Sequence, residues 1–383
     1  MIAPRRPPAL HHATALMLAL AVGSIPRATA DDVPDVRLNQ IQVIGSHNSY
    51  HVEPAPGVLD LIARASARGA ESLQYTHPPL AEQFEDRKIR QIELDVFADP
   101  DGGLFADPAI RKLAALTGKD VGPDPDPDGS LRRPGVKILH VAGVDYRTTA
   151  LTLIEALSQV RSWSRLNPGH VPLFILLELK TAEESRIAGK PVPFDVDRIA
   201  ELEAEILSVF PRPEILTPDD VRGDSATLPE AIRARGWPKL DEVRGRVIFA
   251  LDNTGAEREA YLQGHPALAG RLMFASVDEG DPAAAWFKIN DPIGRFDDIR
   301  RLVAAGFLVR TRADADTRQA RDGSTVMRDR ALASGAQFVS TDYPAADLRF
   351  TDYQVRLPGG VTARSNPVSG DRAWDGFDLE RGR

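Results

Sequence analysis

No cysteine occurs among the 383 residues. Disulfides and thiolate-bound metals are therefore excluded. Stability must come from a large core, which a chain of this length can bury. Positive charge is not in excess: 47 basic against 55 acidic residues leave a net charge of −8. That argues against general nucleic-acid binding. It leaves room for a small anionic ligand, because a bound cation reverses the local field. No segment is suited to crossing a membrane. The N-terminal apolar run, residues 13–22 (ATALMLALAV), falls well short of the ~20 residues a spanning helix needs. A Walker phosphate loop, a G-x-S-x-G elbow and an H-E-x-x-H helix are also missing, and the chemistries they signal go with them.

That N-terminal run is an address. Arg5 and Arg6 precede it, Ala28-Thr29-Ala30 offers a small-x-small cleavage site, and Asp31-Asp32 follow. The pattern predicts a secretory signal peptide over residues 1–30, cut after Ala30, and an extracellular or periplasmic mature chain. A membrane anchor is the competing reading, and the run is too short for it. Pro-Pro directly after Arg5-Arg6 argues against twin-arginine export.

From about Asn39 strand-like runs alternate with amphipathic helical ones. Eight strands are expected, over 41–44, 91–97, 137–141, 173–179, 247–251, 272–275, 307–311 and 337–341. Runs such as Phe174-Ile175-Leu176-Leu177 lack alternation, as parallel strands buried on both faces do. Helical spacing appears in Leu153, Leu157 and Val160, with Thr148-Thr149 as a possible cap, and in Ile199, Leu202, Ile206 and Val209. Gly335 should stop a helix over 327–334. Eight strands alternating with helices point to a closed (β/α)8 barrel, with a doubly wound open sheet as the rival. One barrel domain is expected over 31–350, followed by a polar, partly irregular tail over 351–383. Residues 120–134, rich in Pro, Asp and Gly, read as an insertion between the second and third strands.

In such a barrel the active site lies at the C-terminal strand ends, where several polar residues collect. Glu93 and Asp95 share a strand face and would repel unless a cation or an arginine intervened. Glu178 ends an apolar run, with Lys180 on the same face as its possible partner. His47-Asn48 follows a Gly-Ser turn; the amide oxygen suits a hard cation, and the imidazole can accept a proton or bind a phosphate oxygen. His140 ends Lys137-Ile138-Leu139. Each residue also has an ordinary structural explanation. Lys288, Arg310 and Arg312 could face the same mouth and hold a charged headgroup, or pair at the surface. His51, His77, His170 and His265 read as surface positions or supports behind the site. Asp124-Pro125-Asp126-Pro127-Asp128-Gly129 imitates a calcium loop, but Gly135 stands where its last ligand, a glutamate, belongs; a rigid solvated loop is expected.

The combination is more specific than its parts. Ser46-His47-Asn48-Ser49-Tyr50, then Ile92-Glu93-Leu94-Asp95, His140 and Leu177-Glu178-Leu179 resemble the catalytic half of phosphoinositide-specific phospholipases C. Val144-Asp145-Tyr146-Arg147, Asn167-Pro168-Gly169-His170, Val309-Arg310-Thr311-Arg312 and Ser340-Thr341-Asp342-Tyr343 resemble its bacterial and fungal calcium-dependent group. The resemblance implies a distorted (β/α)8 barrel and one Ca2+ ion, held by Asn48, Glu93, Asp95 and Glu178. It implies His47 and His140 as catalytic histidines, with Glu93 or His47 as the base, and Lys180, Lys288 and Arg310 as substrate contacts. The implied activity is cleavage of phosphatidylinositol, at a membrane surface or micelle, to diacylglycerol and inositol phosphate through a cyclic phosphate. The chain would act as a monomer, without nucleic acid or transmembrane anchor. A glycerophosphodiester phosphodiesterase and a catalytically weak inositol-lipid-binding protein are the alternatives.

Overall fold

Runs of aliphatic residues without alternation become strands covered on both faces, and these strands build the frame of the site. In the computed structural model the described residues are Met1, 36–180 and 192–380. The expected signal peptide lies outside the described residues apart from Met1.

Among the described residues ten strands form one sheet: β1 (Ile41–Ser46), β2 (Ile89–Phe97), β3 (Lys137–Ile138), β4 (Leu173–Leu179), β5 (Val247–Leu251), β6 (Met273–Ala275), β7 (Trp286–Lys288), β8 (Leu308–Arg312), β9 (Phe338–Thr341) and β10 (Ala363–Ser365). Eight of them run parallel in the order β6-β5-β4-β2-β1-β9-β8-β7. A single parallel bridge between Ser276 and Trp286 joins the two ends. The result is the expected barrel, nearly closed. Its seam falls where β6 and β7 are short and no helix separates them.

Two expectations about its strands need correction. The segment expected as a third barrel strand over 137–141 is the two-residue β3, paired antiparallel with the end of β2 (Val96 to Ile138, Phe97 to Lys137). The insertion returns on itself just before it, with Gly135 at φ 125°, and buried Lys137 donates to the carbonyls of Arg133 (2.7 Å) and Gly135 (2.8 Å). The eighth barrel strand is instead β7, three residues long, too short to show a period in the sequence. Helix Leu153–Leu166 is capped by Thr152, whose side chain accepts from Glu155 N; Thr148 turns its hydroxyl to Ala150 O. Helix Val326–Ser334 stops at Gly335, φ 84°, as expected.

Leu153, Leu157 and Val160 on one helix and Ile199, Leu202, Ile206 and Val209 on another are buried against the sheet. Inside the barrel β1 and β2 approach so closely that a Cβ on Gly45 would lie 1.9 Å from Gln91 Oε1. Glycine at this position lets β1 bend where its register with β2 shifts. Beyond residue 350, β10 pairs antiparallel with β1, and Glu380 forms an ion pair with Arg90 at the start of β2. In the calcium-loop look-alike, Asp126 accepts from Ser130 N (2.6 Å) and Leu131 N (3.0 Å), so its carboxylate serves the turn. No helix among the described residues is long and apolar enough to cross a membrane.

Candidate active site

The C-terminal ends of β1, β2, β4, β5, β7, β8 and β9 carry the polar residues. The loop after β1 is fixed first. Ser46 Oγ meets Ser49 Oγ (2.7 Å) and Gln83 Oε1 (2.7 Å), and Ser49 Oγ accepts from Glu93 N (2.9 Å). Asn48 takes a left-handed backbone, φ 43°, which asparagine tolerates better than most residues. Its amide nitrogen donates to Tyr75 Oη (3.2 Å), which leaves its buried Oδ1 without a hydrogen-bond partner among the described residues.

Glu93 and Asp95 point to the same side of β2, and the β2–β4 register sets Asp95 opposite Glu178. Carboxylate oxygens of all three lie within 4.8 Å of one another. Both oxygens of Asp95 are buried without a hydrogen bond among the described residues, and Oδ2 forms an ion pair with Lys180 Nζ at 3.0 Å. Burial, reinforced by Glu178 and opposed by Lys180, pushes the Asp95 pKa up to about 8. Burial also pushes Glu93 up to about 8, against the pull of Arg310 and with added repulsion from Asp252 and Asp95. Burial would raise Glu178 too, but Lys180 and Lys288 hold it below the ordinary value. These carboxylates gather more negative charge than their protein partners offset. The three carboxylates present hard oxygen donors, and the buried Asn48 Oδ1, on the loop after β1, is a fourth oxygen without a hydrogen-bond partner among the described residues. A calcium ion, which takes six to eight oxygens, fits this set, with positions left for phosphate and water.

His47 stands beside this cluster. Its Nδ1 is 2.7 Å from Asp342 Oδ1, and its Nε2 is 3.3 Å from Arg312 Nη1 and 3.6 Å from Glu93 Oε1. Burial first, then Arg312, lowers its pKa to about 3. Its ring is therefore neutral, with Nδ1–H donated to Asp342 and a lone pair on Nε2. Burial alone would raise Asp342; the His47 contact and the Arg312 guanidinium, 3.2 Å from Oδ2, hold it well below the usual carboxylate range.

His140 belongs to a second network. A tight turn, with Val141 N donating to Asp145 O and Asp145 N to Val141 O, brings Asp145 back beside it. Asp145 Oδ2 is 2.8 Å from His140 Nδ1 and 2.9 Å from His51 Nε2. His51 stacks on Tyr75, the residue that holds Asn48, and this links the two networks.

Ion pairs and hydrogen bonds gather most of the expected residues. Glu93 pairs with Arg310, and Lys180 bridges Asp95 and Glu178. Lys288 pairs with Asp252. Arg310 is fully buried, spent on Glu93 and Asn290, whereas Arg312 on the same strand face reaches His47 and Asp342. Arg312 faces the mouth as expected and His51 supports it from behind, and three residues given no role by the sequence also belong to this constellation: Asp145, Asp252 and Asp342. Asp252 follows the apolar run of β5 as Glu178 ends that of β4, so the same signal was available. His51, His77 and His170 are not on the surface; all three are buried.

Comparison with known proteins identifies the family. The calcium-dependent phosphoinositide phospholipase C family matches residues 36–367. No curated protein matches the chain. Among solved structures, a calcium-dependent phosphoinositol-specific phospholipase C from a Gram-negative Pseudomonas species, in its apo form, is similar at 14% identity and a TM-score of 0.51 over 86% of this chain and 95% of its own. The myo-inositol complex of that Pseudomonas enzyme gives 15% identity and a TM-score of 0.51 over 86% and 96%. A calcium-dependent phosphatidylinositol-specific phospholipase C from Streptomyces antibioticus gives 17% identity and a TM-score of 0.48 over 80% and 95%. The Pseudomonas structures share the fold, and the family match spans the barrel and every residue of the site: the chain belongs to the calcium-dependent phosphoinositide phospholipase C family.

Proposed function

We propose that this site cleaves phosphatidylinositol on the glycerol side of its phosphate, giving diacylglycerol and a cyclic inositol phosphate that is then opened by water. The supporting observation is the adjacency of two unlike groups: a buried cluster of three carboxylates, and a neutral, carboxylate-backed histidine 3.6 Å from Glu93. Asn48, Glu93, Asp95 and Glu178 would hold the calcium ion of the family. When bound, calcium withdraws electron density from a phosphate oxygen and acidifies a hydroxyl beside it.

The residues divide the remaining work. His47 Nε2 takes the proton of the inositol 2-hydroxyl, whose oxygen forms the new bond to phosphorus. Glu93 is less suited to this, because Arg310 and the cluster already engage it. Asp342 holds the His47 ring and favours the imidazolium that forms. Arg312 stabilises charge on the phosphate. His140, 26% exposed, donates the proton that the departing glycerol oxygen needs. Lys180 and Lys288 line the headgroup side, and Arg310 acts through Glu93. Because the nucleophile belongs to the substrate, attack has a large proximity advantage. The chain would be exported by its N-terminal segment and meet its substrate at a lipid surface or micelle.

The test follows phosphatidylinositol in detergent micelles by phosphorus NMR, with calcium or with chelator. The expected result is a calcium-dependent cyclic inositol phosphate signal, followed by a monoester. Release of glycerophosphate from a soluble diester, with no action on phosphatidylinositol, would favour the glycerophosphodiesterase reading.

A further inference from the structure

Behind His140 lies a side chain that the reaction scheme above leaves unused. His51 is fully buried, and each of its ring nitrogens faces an oxygen that accepts: Nδ1 lies 3.1 Å from Tyr75 O and Nε2 2.9 Å from Asp145 Oδ2. A carbonyl oxygen has no hydrogen to give, so Nδ1 carries one. Asp145 is also an acceptor: burial alone would raise its pKa, but His51 and His140 hold it below the usual carboxylate range. The Nε2 contact therefore needs a hydrogen as well. The same Asp145 oxygen receives His140 Nδ1 at 2.8 Å. The Tyr75 ring lies on His51, with centroids 4.2 Å apart, and fixes the plane of the imidazole. The three polar groups lie close enough to share a cation, but hydrogen bonds account for each of their short contacts.

We propose that His51 is a positioning residue for the leaving-group step: it clamps Asp145 from below, so that Asp145 holds His140 by Nδ1 and aims Nε2–H at the departing alcohol. The proposal rests on the phospholipase reading. In the step concerned, the bond from phosphorus to the alcohol oxygen breaks and its electron pair stays on that oxygen. The Nε2 proton of His140 neutralises it, and the ring is left neutral with its hydrogen on Nδ1. Asp145 and His51 exchange no proton. A free imidazole would divide its hydrogen between two nitrogens and its ring among several orientations, and the clamp removes that freedom.

The consequence is selective. An alkoxide leaving group needs an acid, and a nitrophenolate does not. The experiment compares wild type, His51→Gln and Asp145→Asn on phosphatidylinositol in mixed micelles and on the 4-nitrophenyl phosphodiester of inositol. Both variants should lose about 10²-fold or more in kcat on phosphatidylinositol and less than about threefold on the nitrophenyl ester, with KM little changed. If His51→Gln slows both substrates alike, or neither, the proposal is overturned and the phospholipase reading stands. A wild-type protein that cleaves neither substrate sinks both. NMR of the 15N-histidine-labelled wild-type protein gives a second readout that needs no active variant. It should show hydrogens on both His51 nitrogens and on His140 Nδ1; a bare His51 nitrogen overturns the proposal.

Discussion

Asp342 Oδ1 lies 2.7 Å from His47 Nδ1, across 295 residues of sequence. The contact fixes the tautomer that leaves a lone pair on Nε2, on the side of Glu93. Replacing Asp342 by Asn keeps the shape but permits the opposite tautomer. Steady-state kinetics on phosphatidylinositol should show kcat reduced by about 10²–10⁴ with KM little altered. A loss below about threefold would remove Asp342 from the account.

The carboxylate cluster predicts a calcium-linked gain in stability. Burial pushes Asp95 and Glu93 up to about 8, against the pull of Lys180 and Arg310, and a bound divalent cation would offset that cost. Thermal unfolding midpoints should rise with calcium, corresponding to about 2.7 kcal/mol at a hundred times the dissociation constant. Asp95→Asn and Glu178→Gln should weaken this response and lower calcium affinity about tenfold or more in calorimetry. An identical calcium response in wild type and both variants would place the ion elsewhere.

His170 makes stability fall on the acid side. It is buried, bonded to Ser164 Oγ and the Val171 carbonyl, and burial lowers its pKa from 6.5 to about 4. Between these values the unfolded chain holds a proton that the folded chain does not. Stability therefore rises with pH across this window and is lost as pH falls through it, by roughly 3 kcal/mol for this group alone. Urea unfolding at pH 7.5 and 4.5 should show a smaller loss in His170→Asn than in wild type. Equal losses would mean that His170 keeps its ordinary titration in the fold.

Gly45 tests the packing that carries His47. An alanine methyl there would meet Gln91 at 1.9 Å (Oε1) and 2.8 Å (Cβ), inside the barrel. Gly45→Ala should cost about 1–3 kcal/mol of stability by denaturant titration. Adding Gln91→Ala should recover part of that loss; a double variant no better than the single one would place the strain elsewhere.

The barrel was legible because β4 and β5 are continuous apolar runs with polar residues at their ends. Glu178 was found that way, and Asp252 obeys the same rule. Strand β7 has three residues, too few for a period, and β3 imitates a barrel strand because Lys137-Ile138-Leu139 is apolar enough for one. His47, Glu93, Asp95 and His140 sit in local motifs. Their partners Asp342 and Asp145 stand next to strand-end or turn residues, yet nothing local says which histidine each will meet. His51 reads as a loop residue because its burial comes from Tyr75, 24 residues away. Arg310 and Arg312 look equivalent in sequence. Only the fold assigns one to Glu93 and the other to His47.

The central claim is that four strand-end oxygen donors form one calcium site within reach of His47. A crystal structure of the protein with calcium tests it most directly. The account predicts an ion bonded to Asn48 Oδ1 and to carboxylate oxygens of Glu93, Asp95 and Glu178, with Lys180 Nζ moved away from Asp95. An ion bound elsewhere, with this cluster still closed by Lys180, would contradict it.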